Sequence, residues 1–253
     1  MRWLERLFGR RAPPGDDIAA RMAEATAAVE RGDHEAALAI WGPLAHAGIG
    51  RAQNNIGACF AEGLGVARDP ALALRWLSLS AEGGDPVGQR NLAALHFKGE
   101  GVDQSDAEAL RLYRLAAEQG DAPAQDMLSW MLLEGGDPAD RAEALRWAEA
   151  AAEAGIATSM TRLGMMHHDA LGVNRDADAA AQWWQRGMAA GDPDSEAMLG
   201  AATLLGQGVP PDADRALRGG CPPLTGPAPA PRRARRAARP TLPRRQKRCS
   251  RWP

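Results

Sequence analysis

Few residues of this 253-residue chain have types and spacing that could do chemistry. They are the pair His167-His168, the Gly-x-Gly-Val runs at Gly63-Gly65-Val66 and Gly99-Gly101-Val102, and three cysteines. Histidines ligate metals, but neighbours on a helix point about 100° apart and do not readily chelate one ion. A phosphate loop needs a preceding strand and a following Lys-Ser/Thr, and the glycine runs have neither. Cys59, Cys221 and Cys249 share no common spacing and leave an odd thiol, which suits a reducing cytoplasm. No catalytic set, metal site or cofactor is expected. Chemistry by these residues gives way to what positions them.

That framework repeats every 36 residues. Gly63, Gly65 and Val66 return as Gly99, Gly101 and Val102, Ala73-Leu74 as Ala109-Leu110, and Gly84-Asp85 as Gly120-Asp121. A period of this length marks stacked helical hairpins, each burying its apolar face against its neighbours. Within a unit, helix A places Ala52, Ile56, Cys59 and Phe60 on one face, and the loop glycines break it. Helix B starts near Asp69-Pro70, a capping residue followed by a proline suited to the first turn. It closes at Gly84, with counterparts at Gly48, Gly120, Gly155 and Gly191. Helix A carries a small residue at Gly57, Ala93, Ser129, Gly164 and Gly200, where two backbones can approach. Helix B carries a large one at Ile40, Trp76, Leu112, Trp147 and Trp183, read as the core ladder. The third loop, GGDPADRAEAL, is one residue short, and an N-terminal hairpin turns tightly at Gly32-Asp33.

These units, among them LAALHFKGEGVDQSDAEALRLYRLAAEQGD, resemble the SEL-one-like repeat, a relative of the tetratricopeptide repeat. The departures are Ala170 where the first loop glycine of the run ending at Gly172 belongs, the short third loop, and Gly187-Met188 in place of an alanine pair. The resemblance implies an all-α, right-handed α-solenoid of stacked antiparallel helical hairpins, with helices A on the concave side. It also implies a non-enzymatic scaffold or adaptor that binds protein and needs no cofactor. Some similar proteins are linked to β-lactam hydrolysis, but they resemble secreted chains with a disulfide in each repeat. This chain lacks those cysteine pairs and any Ser-x-x-Lys.

Three segments follow. Residues 1–15 are a short basic amphipathic leader, with Trp3, Leu4, Leu7 and Phe8 among Arg2, Arg6, Arg10 and Arg11. It reads as a cap on the first hairpin or a disordered segment or, alternatively, as a weak membrane-surface dock for a peripheral regulator. It lacks the apolar run of a secretory signal. Residues 16–218 are the repeat body, its last hairpin truncated. Residues 219–253 hold ten Arg or Lys and no acid, leaving the body with 20 basic and 32 acidic groups. That tail is rich in Pro and Arg and is expected to be disordered. The register fails mid-helix after Arg218, and Arg outnumbers Lys 28 to 2, which reads as translation of a shifted frame rather than a nucleic-acid-binding arm.

Opposite the core on helix A, the column Ala58, Ala94, Trp130, Met165 and Ala201 faces away from helix B. Trp130 and Met165, with Met127 one turn before Trp130, are read as apolar anchors for a partner segment on an acidic concave face. Asn54, Asn55, Arg90 and Asn91 are read as its polar clamps. The expected partner is a protein or peptide; the sequence does not name it.

Overall fold

A computed structural model describes residues 18–209. The leader, the basic tail and residues 210–218 lie outside that range. The described residues form eleven α-helices and no strand. In chain order they are α1 (Ile18–Glu30), α2 (His34–His46), α3 (Gly50–Glu62), α4 (Pro70–Glu82), α5 (Pro86–Lys98) and α6 (Asp106–Glu118). There follow α7 (Ala122–Gly135), a short 3-10 turn (Pro138–Asp140), α8 (Arg141–Glu153), α9 (Ala157–Asp169), α10 (Ala177–Ala189) and α11 (Pro193–Leu205). Each helix packs on the next, giving a right-handed α-solenoid of antiparallel hairpins. The odd-numbered helices are helices A and the even-numbered ones helices B. No described helix is long and apolar enough to cross a membrane.

The helix boundaries follow from short-range chemistry. Asp69 accepts from the backbone N–H of Ala71 and Leu72, and Pro70 opens the helix without wasting a donor. Asp85, Asp121, Asp176 and Asp192 cap α5, α7, α10 and α11 in the same way. The glycines closing helices B, at 48, 84, 120, 155 and 191, take φ between 83° and 92°, a region that is costly for residues with a Cβ. Ala170 takes φ 58° in the place of a loop glycine. In the short third loop Gly136 turns the chain and the 3-10 turn leads straight into α8.

The loop glycines also serve packing between units. A Cβ at Gly101 would stand 2.9 Å from the Pro70 carbonyl oxygen, and one at Gly172 2.6 Å from that of Arg141. Each loop therefore rests on the first turn of the preceding helix B. Gly63, Gly65 and Gly99 share the left-handed conformation, and Val66, Val102 and Val173 pack against the buried clusters. The Gly-x-Gly-Val runs are inter-repeat joints.

The core ladder differs from the sequence reading by one residue. Leu112 and Trp147 are buried, but Ile40, Trp76 and Trp183 are only half-buried. The next helix B column is deeper at every repeat: Trp41, Leu77, Tyr113, Ala148 and Trp184. One step along a helix turns a side chain by about 100°, and that step carries this column onto the small residues of helix A. A Cβ on Gly57 would meet Leu77 Cγ at 2.7 Å, and one on Gly164 would meet Trp184 Nε1 at 2.2 Å. Ala93 and Ser129, in the same column, are fully buried, while Gly200 is half-buried. The Trp76 ring instead meets His46 edge-on, and Arg146 and Arg186 lie over the rings of Trp147 and Trp183.

Candidate protein-binding face

The helices A lie closer to one another than the helices B do. Across the A layer a short pair suffices: Asn91 Nδ2 donates to Asn54 Oδ1 at 2.8 Å, joining α5 to α3. Neighbouring helices A also contact one another directly, α3 with α5 and α9 with α11, whereas the B layer is linked by the ion pairs Arg114–Glu143 and Arg186–Glu153.

All four of the expected polar clamps make hydrogen bonds within the array. Asn54 is 4 % exposed; besides accepting from Asn91, it donates through Nδ2 to Asn55 Oδ1 at 3.1 Å. It is therefore inaccessible to a ligand, because an amide this deep must satisfy itself inside the protein. Arg90 donates through Nη1 to both carboxylate oxygens of Asp121, at 3.0 and 2.9 Å, while Asp121 caps α7. Asn55 and Asn91 are half-buried and line the N-terminal half of the layer.

The apolar anchors divide differently. Trp130 is half-buried and meets Phe97 of α5 edge-to-face, with ring centroids 5.6 Å apart at 86°. Part of its surface thus joins two repeats, and Met127 packs beside it against the central core. Met165 is 40 % exposed, and Met198 on the next helix A is 36 % exposed. Sequence reasoning missed Met198 because it sits one turn before the column followed there.

Part of the acidity of this face is neutralised within the layer. Arg51 pairs with Asp85, Arg90 with Asp121, and Arg162 with the buried Asp126 at 2.5 Å, so the inner charges of the layer are matched. Ser159 Oγ donates to the same Asp126, and Thr161 bonds Asp192 and Ser195. A glutamine column went unread as well. The Nε2 groups of Gln53, Gln89 and Gln125 donate to the carbonyls of Ala45, Ala81 and Ala117 at 3.0, 3.4 and 3.1 Å. Each adds a second hydrogen bond to a carbonyl at the end of the preceding helix B that also accepts the N–H of the closing glycine. Their 36-residue spacing was the available signal.

No group of three potential metal ligands gathers among the described residues. His167 is half-buried in the column of Phe60, His96 and Leu132, and its Nδ1 is buried without a hydrogen-bond partner. His168 points elsewhere: Nδ1 meets Asp169 Oδ1 at 2.6 Å and Nε2 meets Gln207 Oε1 at 2.9 Å. Its pKa is raised, chiefly by the Asp169 hydrogen bond and then by Gln207. Burial pushes the Cys59 thiol up to about 11, which makes it a poor nucleophile.

Residues 50–85, 86–121, 122–156, 157–192 and 193–218 each match the Sel1 repeat. The chain belongs to the Sel1 repeat family. The α1–α2 hairpin precedes the first matched stretch. Sel1 repeat proteins are generally protein-interaction scaffolds without catalysis of their own. A Sel1 repeat protein from Oxalobacter formigenes is similar at 30 % identity and a TM-score of 0.71, over 78 % of this chain and 82 % of its own. So is c5321, a protective antigen with an SLR fold from uropathogenic Escherichia coli, at 29 % identity and a TM-score of 0.72. That match covers 80 % of this chain but 44 % of c5321, so this Sel1 repeat chain spans less than half of that protein. The immunity protein Pa5087 of Pseudomonas aeruginosa, at 19 % identity and a TM-score of 0.51, shares the fold alone. No curated protein matches the chain.

Proposed function

We propose that this Sel1 repeat protein is a non-enzymatic scaffold that holds a segment of a partner protein against its A layer. The exposed apolar surface of Met165, continued by Trp130 and Met127, carries this reading. A solenoid's inner face offers a long surface to another chain, and methionine adapts to varied partners. Asn55 and Asn91 supply polar contacts towards the N-terminal end of the layer; Asn54 and Arg90 hold the layer in shape. A reducing cytoplasm suits the free, buried Cys59.

The test is site-specific photocrosslinking in native lysate, with the crosslinker at position 165 and, in a parallel sample, at Leu79 of helix B. A protein crosslinked from 165 and not from 79 supports the reading. Crosslinks from 79 alone would move the binding face to the B layer.

A further inference from the structure

We propose that the segment held by the C-terminal half of the A layer is apolar and flanked by lysine or arginine. This deepens the reading above and rests on it. Across α7, α9 and α11 every exposed charged side chain is acidic: Glu134, Asp169, Asp194 and Glu196. Helical spacing sets three of them on the apolar face, since Glu134 lies four residues after Trp130, Asp169 four after Met165, and Asp194 four before Met198. The cation of these helices, Arg162, is bonded to the buried Asp126 and offers nothing outward. Exposed Met165, Met198 and Leu205 therefore sit among carboxylates; His168 bonds Asp169, and the open acids are Glu134, Asp194 and Glu196.

Such a surface selects its ligand twice. Apolar side chains desolvate against the methionines, while basic flanks meet the acids and acidic flanks are repelled. The N-terminal half is mixed: exposed Glu62 and exposed Lys98 occupy the column of Glu134 and Asp169, and Ala58 and Ala94 stand where Trp130 and Met165 do, so the joined apolar and acidic character belongs to the C-terminal end of the array. Three neighbouring helices about 10 Å apart span about 20 Å, which about 13 residues of a helical ligand would cover.

The probes are two labelled 14-residue amphipathic peptides, one of leucine and lysine and a twin with glutamate in place of lysine. Fluorescence anisotropy is read on the full chain and on Met165→Lys and Glu134→Lys, whose native helicity is checked by circular dichroism. Both positions are exposed, so both variants are expected to fold. The lysine peptide is expected to bind the parent at least about tenfold more tightly than its twin, and to lose about tenfold or more in each variant. If both peptides bind the parent equally and Met165→Lys weakens both, the basic preference is overturned while the A-layer reading stands. If neither variant changes the binding of either peptide, both fall.

Discussion

The Trp184 indole lies directly over Gly164 and donates Nε1–H to the Thr161 carbonyl at 3.3 Å. No side chain fits between them, because a Cβ on Gly164 would stand 2.2 Å from Nε1 and 2.4 Å from Cδ1. Gly164→Ala is therefore expected to lower stability by about 1–3 kcal/mol, the usual cost of overpacking a close-packed core. Gly135→Ala is the control: a Cβ there meets nothing within 4 Å, and the change should be neutral or stabilise by about 0.5–1 kcal/mol. Urea unfolding of both variants measures the difference.

Arg162 and Asp126 form a nearly buried pair, with side chains 13 % and 7 % exposed. Removing the cation leaves a carboxylate that Ser159 alone supports. Arg162→Leu is expected to cost about 3 kcal/mol by urea unfolding. Replacing both residues with apolar ones should restore a good part of that loss, since it removes the stranded charge.

His168 makes stability depend on pH. Its charged form donates to both Asp169 and Gln207, which raises its folded-state pKa above the ordinary 6.5. The stabilisation is whole below pH 6.5, the unfolded value, and is lost as pH rises through the raised folded value. The melting temperature of the parent relative to His168→Ala should therefore be highest near pH 5.5 and fall towards pH 8. A difference that grows with pH would reverse the sign.

Cys59 is expected to resist alkylation in the native protein at pH 8 and to react once the chain is unfolded in urea, because its thiol is buried and its pKa pushed up to about 11. Peptide mapping by mass spectrometry after iodoacetamide treatment reads this site separately from Cys221 and Cys249.

Much of this was legible because a repeat states each rule several times. The capping aspartates, the closing glycines and the small column of helix A recur at 36-residue spacing and need no tertiary knowledge. The core ladder misled for a specific reason. Tryptophan at 76, 147 and 183 draws the eye, whereas the deeper column is hidden by Ala148, whose small size conceals its rank. Asn54 and Arg90 read as open clamps because their partners, Asn91 and Asp121, lie 37 and 31 residues away on the next helix A. Which polar side chain is consumed between repeats depends on the stagger of neighbouring helices, and a single column does not encode that.

The central claim is that the A layer holds the partner. Affinity capture from native lysate with the parent, Met165→Lys and Leu79→Lys tests it most directly, each variant placing one charge at an exposed apolar position on a different layer. The account predicts that a protein retained by the parent is kept by Leu79→Lys and lost by Met165→Lys. Retention by Met165→Lys together with loss by Leu79→Lys would contradict it.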